Sequence, residues 1–251
     1  GSGSATDDTD YAMGNITVSA GSTSGTTAFN PTPDDLYDAA SSETATIDIT
    51  NVSGGGASEH STAQQVSITL ADNDSAPTVT IASSASSVEE DGSDLTITAT
   101  ASLATYEDIT VSIDGSGGTA TEGTDFATVS DITISAGSTT GTSSFNPTSD
   151  DLYDAASSEN AVIAVSGVSG GGASESGSQS ETITLVDSDS APTVTLSSSS
   201  SDATEDGGNL TITGTLSIAT YEDVSVSLST SGTATDDTDY ALSDTTVSYT
   251  H

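Results

Sequence analysis

The sequence repeats itself at a spacing of about 115 residues, and this periodicity restricts the folds that are open to the chain. DDLYD begins at residues 34 and 150, SGGGASE at 53 and 169, and APTVT at 76 and 191. The spacing is too long for a solenoid unit and corresponds to one small domain. We therefore predict a partial repeat at 1–75 that lacks its opening strands, a complete repeat at 76–190, and a partial repeat at 191–251 that lacks its closing strands. We also expect the chain to be a segment of a longer protein.

The complete repeat contains short stretches in which apolar and polar residues alternate, bounded by Gly, Asn and Asp. Val, Ile and Thr are frequent in these stretches, as expected for half-buried strands. Seven strands are predicted, at 77–83, 94–103, 109–114, 131–135, 141–147, 160–167 and 180–186. The predicted inward-facing residues are Leu95, Ile97, Ile109, Val111, Ile113, Ile132, Ile134, Phe145, Ile163, Val165, Ile183 and Leu185. No stretch has a helical period, so the predicted fold class is all-β, a tandem series of seven-stranded antiparallel β-sandwiches with immunoglobulin-like architecture.

The charge of the chain limits its partners. There are 38 acidic residues and no Lys or Arg, which gives a formal charge of −38 at neutral pH. Every ion pair must therefore be made with something outside the chain, which favours cations and disfavours nucleic acid and anionic membranes. An apolar content of 32% would permit disorder, but the alternating strand pattern favours a folded chain. We expect no membrane insertion and no signal peptide, and the lack of cysteine excludes disulfides and thiolate sites.

The acidic residues concentrate in connections that are predicted to meet at one end of the sandwich. If consecutive strands run up and down, the segments SVEEDGS, GTATEGTDF, DDLYDAASSE and DSDSAP all lie at this end, which we call the tip. Like charges about 4 Å apart repel by roughly 1 kcal/mol in water, so the tip requires counterions. Ca²⁺ is suitable because it takes about six to eight oxygen ligands in flexible geometry. Zn²⁺ is disfavoured because the complete repeat has neither Cys nor His.

In their order along the chain, VEEDG, GTATEGTDF, SAGSTTGTSSFNP, DDLYDAASSE and ETITLVDSD resemble the motifs of a Calx-beta domain, a calcium-binding sandwich of sodium–calcium exchangers and large bacterial surface proteins. The resemblance covers the complete repeat and both partial repeats as far as they extend, and it implies Ca²⁺ as the cofactor. In the complete repeat the implied ligands are Glu89 or Glu90, Asp125, Asp150, Asp151, Asp154, Glu159, Asp187 and Asp189. In 1–75 they are Asp10, Asp34, Asp35, Asp38, Glu43, Asp72 and Asp74, and in 191–251 they are Glu205, Asp206 and Asp239. The match is poorer at Glu159, because Ala-Ala-Ser intervenes after Asp154.

The last strand of each repeat leads into the next repeat, so a metal ion at the tip would lie at the junction, facing the next ATYED turn and SGGGASE segment. Bound calcium would stiffen this link, which predicts a structural segment of an extracellular or cell-surface protein, a rod or fibre used in adhesion or matrix. A calcium-sensing regulatory module and a fibre-forming homopolymer with repeats completed between chains remain alternatives. The predicted partners are neighbouring repeats and, in fibres, further copies of the chain. Catalysis is not expected, because the carboxylates have no neighbouring base and the Gly-x-Ser-x-Gly match at 167–171 has no histidine in its repeat.

Overall fold

The computed structural model of the protein describes residues 2–3, 5, 9–39, 42–62, 64–156, 158–243 and 246–249. Within these ranges all the regular secondary structure consists of β-strands, which confirms the predicted all-β fold class. The same part of the chain has no helix of the length and apolarity needed to span a membrane.

The strands are numbered in chain order. Before residue 76 they are β1 (Ser2–Gly3), β2 (Tyr11–Met13), β3 (Phe29–Pro31), β4 (Leu36–Tyr37), β5 (Ser42–Asp48) and β6 (Gln65–Ala71). From 76 to 190 they are β7 (Thr78–Ser83), β8 (Ser87–Glu89), β9 (Leu95–Ala101), β10 (Ala104–Thr105), β11 (Ile109–Gly118), β12 (Ile132–Ile134), β13 (Thr140–Phe145), β14 (Leu152–Tyr153), β15 (Ser158–Ser169), β16 (Ser174–Glu175) and β17 (Ser180–Val186). After residue 190 they are β18 (Val194–Ser198), β19 (Ile212–Leu216), β20 (Ala219–Thr220), β21 (Val224–Ser227) and β22 (Thr246–Tyr249).

The complete repeat forms two sheets. One has the strand order β12-β11-β15-β17-β8 and the other has the order β13-β9-β7-β16. All seven predicted strands are present, as β7, β9, β11, β12, β13, β15 and β17. Four short strands were not predicted. β8 pairs in parallel with β17 and β16 pairs in parallel with β7, whereas β10 and β14 pair with strands outside this repeat. The chain therefore crosses from one sheet to the other between β7 and β8, which carries the following acidic segment to the end of β17.

The core lies between these two sheets. Ile97 on β9 belongs to one sheet, and Ile109, Ile163 and Ile183 belong to the other. All four side chains are fully buried between the sheets. The side chains of Phe126 and Phe145 stack with their ring centroids 4.9 Å apart. Leu95, Ile113 and Val165, which were predicted to face inward, are only partly buried and pack on the periphery of the core. Burial of apolar surface at roughly 25 cal/mol per Å² makes this core the main source of stability for the repeat.

Apolar residues of both partial repeats are exposed where their counterparts in the complete repeat are buried. Ile16 is 60% exposed, whereas Ile132, at the equivalent place in the repeat, is fully buried. Leu196 on β18 is also 60% exposed, whereas its counterpart Ile81 on β7 is 5% exposed. The first repeat nevertheless has a small core of its own around Tyr11, which stacks on Phe29 at a centroid distance of 4.6 Å. The boundaries predicted at 75/76 and 190/191 stay predictions.

Candidate metal-binding tips

Carboxylates from four separate connections line one small pocket at the end of the complete repeat, which we call the second tip. Its acidic side chains are Glu90, Asp125, Asp150, Asp154, Glu159 and Asp187, and Leu152, Ser158 and Tyr221 complete the lining. The cavity volume is about 20 Å³, which corresponds to roughly one water-sized sphere. The pocket therefore has room for a single small ion or water molecule, and six carboxyl groups surround it.

The Asp187 carboxylate organises this pocket by accepting hydrogen bonds from two backbone amides. Its Oδ2 accepts a hydrogen bond from the Asp154 amide at 2.8 Å, and its Oδ1 accepts one from the Asp189 amide at 2.8 Å. Asp150 is held similarly, because its Oδ1 accepts a hydrogen bond from the Leu152 amide at 2.7 Å. Aspartate makes such bonds to an amide two residues further on in tight turns. The short acidic loops are thus folded by their own carboxylates, and Asp187 ties the loop after β14 to the end of β17.

Asp125, in the turn between β11 and β12, and Glu159, on β15, approach each other. Asp125 Oδ2 accepts a hydrogen bond from the Thr121 amide at 2.6 Å, and the Asp125 carbonyl accepts one from Thr148 at 2.9 Å. Glu159 lies on β15, opposite Leu185 of β17. Burial raises the pKa of Glu159, and the charge of Asp125 together with a side-chain hydrogen bond between the two carboxyl groups raises it further. Glu159 is therefore part of the cluster in spite of the Ala-Ala-Ser insertion, of which Ser157 lies outside the described residues.

The electrostatics of the second tip oppose full ionisation. Burial raises the pKa of Glu90 from its ordinary value of 4.5 to about 7, with repulsion from Asp150, Asp187, Asp125 and Asp189 adding to the effect. A raised carboxyl pKa shows that the charged form is disfavoured in its surroundings. A cation would remove this penalty, since it would neutralise the group that the neighbouring carboxylates repel.

Asp189 has one carboxylate oxygen that no described residue satisfies. Its Oδ2 atom is buried and has no hydrogen-bond partner, and burial followed by the charge of Asp187 raises the pKa of this carboxyl group. Buried polar atoms nearly always have a partner, so an orphaned carboxylate oxygen beside an acidic pocket is compatible with a metal ligand. Within the described ranges, however, no three acidic or histidine side chains are close enough to hold a metal ion as they are placed. Cation binding would therefore require the carboxylates to rotate inward.

A second cluster of the same design lies at the end of the first repeat, and we call it the first tip. Its acidic lining residues are Asp10, Asp34, Asp38, Glu43 and Asp72, and Tyr106 also contributes to its wall. The hydrogen bonds correspond to those of the second tip. Asp72 Oδ2 accepts from the Asp38 amide at 2.7 Å, Asp72 Oδ1 accepts from the Asp74 amide at 2.8 Å, and Asp34 Oδ1 accepts from the Leu36 amide at 3.0 Å. The framework is therefore a property of the repeat and not of one loop.

The first tip is wider than the second. Its cleft has a volume of about 430 Å³ and is open to solvent. Burial, followed by repulsion from Asp10, Asp38 and Asp34, raises the pKa of Glu43, and burial followed by the charge of Asp72 raises that of Asp74. The described residues that line the first tip include no counterpart of Glu90.

Other residues that were predicted as ligands lie outside these two pockets. Glu89 ends β8 with an exposed side chain, so Glu90 and not Glu89 faces the second tip. Asp151 and Asp35 are exposed and do not line the pockets, although they raise the pKa of Asp189 and Asp74 respectively. In the third repeat Glu205, Asp206 and Asp239 are exposed, and no hydrogen bond described for that part of the chain joins them. Asp239 Oδ2 accepts from the Thr235 amide at 2.6 Å, the bond that Asp125 makes with Thr121.

Tyr106 belongs to the ATYED turn at 104–108, which the sequence predicted to face the preceding tip, and it lines the first tip in the structure. The segment recurs at 219–223. Glu122, by contrast, has a local structural role, since its Oε1 accepts a hydrogen bond from the Val129 amide at 3.1 Å.

No protein-family model matches the sequence, and no curated protein matches it either. Among solved structures, the chain is similar to the crystal structure of CBD12 from CALX1.2, with 16% sequence identity and a TM-score of 0.37 over 58% of this chain and 77% of that chain. It is also similar to a two-domain protein of unknown function from Bacteroides fragilis, with 12% identity and a TM-score of 0.34 over 61% of this chain and 68% of that chain.

Proposed function

We propose that the chain is a calcium-binding structural segment of an extracellular or cell-surface protein, in which Ca²⁺ at the tips stiffens the junctions between repeats. The observation that carries the proposal is the second tip, where six carboxylates from four connections surround a cavity of about 20 Å³. The chain has no Lys or Arg to neutralise them. Ca²⁺ would supply a hard cation that cross-links carboxylate oxygens, and it tolerates irregular coordination.

The donor groups present are of the kind that Ca²⁺ takes, and they would have to rotate inward to reach one ion. At the second tip Glu90, Asp125, Asp150, Asp154, Glu159 and Asp187 would hold it, with Asp189 supplying the orphaned oxygen. At the first tip Asp10, Asp34, Asp38, Glu43 and Asp72 would do so. Each set joins the acidic loop before β5 or β15 to the segment after β6 or β17 that leads into the next repeat. Neutralising the repulsion there would favour one orientation of the link, which supports a rod used in adhesion or matrix.

The proposal is tested by small-angle X-ray scattering of the 251-residue chain in calcium and after its removal with a chelator. We expect the maximum dimension to be larger, and its distribution narrower, with calcium present. The control is the double variant Asp72→Asn and Asp187→Asn, which removes one charge from each tip and is expected to lose the calcium response. An unchanged maximum dimension after calcium removal from the wild-type chain would contradict the stiffening role.

The sensor alternative is favoured by one observation, namely that no three of the described carboxylates are close enough to hold a metal ion as they are placed. Binding that rearranges side chains is a feature of calcium switches. Calorimetric titration separates the two functions. Dissociation constants of about 10⁻⁴ to 10⁻³ M are typical of extracellular structural modules, whereas values of about 10⁻⁷ to 10⁻⁵ M are typical of sensors.

The homopolymer alternative is favoured by exposed apolar residues of the partial repeats, such as Ile16 between β2 and β3 and Leu196 on β18, each 60% exposed. Exposed strand edges and faces are sites of intermolecular pairing. Sedimentation at increasing concentration tests it, and a strictly monomeric chain at millimolar concentration would exclude it.

A further inference from the structure

Consecutive repeats meet through a small joint that occurs twice in the same form. At the first junction β4 pairs in parallel with β10, so that Leu36 lies opposite Ala104 and Tyr37 opposite Thr105. At the second junction β14 pairs with β20 in the equivalent register. The amide after each pair extends the joint: Tyr106 donates to the Tyr37 carbonyl at 3.2 Å, and Tyr221 donates to the Tyr153 carbonyl at 3.0 Å. This recurrence indicates a dedicated contact between repeats.

The preceding repeat contributes a tyrosine ring that lies on a glycine of the following repeat. Gly172 has a φ of +61°, and a Cβ atom at this position would lie 2.6 Å from Cε1 of Tyr37. Real Cβ atoms do not approach other heavy atoms this closely, so only glycine leaves room for the ring in this position. The equivalent Gly56 in the first repeat has a similar φ of +69° but has no atom within 4 Å of the corresponding Cβ position.

The following repeat contributes a tyrosine to the acidic tip of the preceding one. The Tyr106 hydroxyl donates a hydrogen bond to Asp34 Oδ2 at 3.3 Å, and Tyr106 lines the cleft of the first tip. Tyr221 lines the second tip beside Asp150, which is the counterpart of Asp34. Because Asp34 Oδ1 is already bound to the Leu36 amide, the tyrosine engages the second oxygen of this carboxylate.

We infer that Tyr106 and Tyr221 are positioning residues that couple the orientation of each repeat to the cation state of the preceding tip. This inference rests on the proposed calcium binding. A cation that draws Asp34 into the tip fixes the carboxylate to which the Tyr106 hydroxyl is bonded, and the backbone pairing of β4 with β10 then fixes the rest of the following repeat. Coupling of this kind is reciprocal, so the tyrosine must strengthen cation binding as much as the cation strengthens the joint.

The test measures calcium affinity and repeat orientation in the same molecules. Because the chain has no cysteine, spin labels can be placed specifically with Thr50→Cys in the first repeat and Thr128→Cys in the second, both of which are exposed positions. In the wild-type background we expect calcium to narrow the distance distribution between the labels. In Tyr106→Phe, which removes only the hydroxyl, we expect this narrowing to be lost and calcium to bind the first tip about 3- to 10-fold more weakly, as for the loss of one ordinary hydrogen bond.

Tyr221→Phe is the matched control, since it alters only the second junction and is expected to leave this distance distribution unchanged. If wild-type and Tyr106→Phe chains bind calcium equally and respond equally, the inference is wrong while the proposed function stands. If the wild-type chain binds no calcium, the proposed function itself fails.

A second pair of variants tests the contact between Tyr37 and Gly172 in the absence of calcium. Gly172→Ala and Gly56→Ala impose the same left-handed backbone strain, but only Gly172→Ala displaces Tyr37. We expect Gly172→Ala alone to broaden the distance distribution in the presence of chelator. Equal distributions in the two variants would contradict the role of this joint in setting orientation.

Discussion

The two acidic tips have the same hydrogen-bonded framework but differ in how far they are closed. In both, an aspartate after the last strand binds the amide of an aspartate in the preceding acidic loop, at 2.7 Å in the first tip and 2.8 Å in the second. The first is an open cleft of about 430 Å³, whereas the second has a cavity of about 20 Å³. The second tip also has one more acidic lining residue, Glu90, which the segment after β8 carries into it.

This difference indicates that the acidic turns fold independently of the closure of the pocket. The turns that lead into β4 and β14 fold through their own aspartates, since the Leu36 amide donates to Asp34 and the Leu152 amide donates to Asp150. They therefore form with or without an opening strand. Closing the pocket and concentrating charge in it depend on the segment between β8 and β9, because this segment places a further carboxylate among those already present. We expect the second tip to bind calcium more tightly than the first.

The largest effect is expected from removing the charge of the aspartate that organises each framework. Asp187→Asn should weaken calcium binding at the second tip by about 10- to 100-fold, because a charge-assisted hydrogen bond and a ligand charge are lost together. Asp72→Asn should have the corresponding effect at the first tip. Titration calorimetry of each single variant measures the calcium affinity of the altered tip and, as the control, that of the tip that remains intact. Equal losses at both tips from either substitution would show that the two sites are not independent.

An intermediate effect is expected from Glu90→Gln, and it should reverse sign with calcium. The folded pKa of about 7 lies above the ordinary value of 4.5. In the calcium-free protein the stabilisation from the bound proton is therefore complete below about pH 4.5 and is lost as the pH rises through about 7. Glu90→Gln should remove this dependence and stabilise the calcium-free chain at pH 8 by about 1 kcal/mol, allowing for solvent screening. In calcium it should instead lower the affinity of the second tip.

The adjacent Glu89 provides the control for this experiment, since its side chain is exposed at the end of β8. Thermal unfolding between pH 5 and 8, with and without calcium, measures both effects. The same pH profile in Glu89→Gln and Glu90→Gln would contradict the assignment of Glu90 to the pocket.

The smallest effect is expected from Glu159→Gln, which changes the carboxylate that approaches Asp125. The amide retains a hydrogen-bonding group on β15, so the fold should be kept while calcium binding at the second tip weakens by about threefold. Glu43→Gln is the equivalent substitution in the wider first tip, and we expect a smaller change there. A larger loss of calcium affinity in Glu43→Gln than in Glu159→Gln would contradict the expectation that the smaller cavity of the second tip binds calcium more tightly.

Much of the fold of the complete repeat could be predicted from the alternation of apolar residues. Ile97, Ile109, Ile163 and Ile183 are fully buried as this pattern requires. Phe126 was not among the predicted inward-facing residues although it is fully buried, because it lies in an acidic loop and not in an alternating stretch. A periodic pattern identifies residues on strands, but it does not identify a loop residue that folds back on the core.

Strand ends were harder to predict where glycine is present. The GSGG segment at 115–118 has the composition of a turn, yet β11 continues through it to Gly118. Gly118 has a φ of +100°, and a Cβ atom there would lie 2.0 Å from the Asn160 carbonyl oxygen. The register shift between Asp114 and Gly117 marks an irregular strand in which the backbones approach closely. Glycine can indicate either a turn or such an approach, and the sequence alone does not distinguish them.

Strand direction was sufficient to predict that Asp125, Asp150 and Asp187 would lie at the same end of the repeat, since this requires only that consecutive strands alternate. The choice between Glu89 and Glu90 could not be made in this way. It depends on β8, a three-residue strand whose Val88 packs against the core, so that the orientation of the next residues follows from a pairing too short to detect. The role of these carboxylates as calcium ligands stays a prediction.

The joint between repeats has a geometric consequence for longer arrays. Leu36 and Tyr37 pair with Ala104 and Thr105 in the same register in which Leu152 and Tyr153 pair with Ala219 and Thr220. When each unit is placed on the one before it by the same contact, a single rotation and a single translation generate the whole series. A chain of many such repeats would follow a regular screw, and its pitch could be altered along its entire length by one substitution made in every joint.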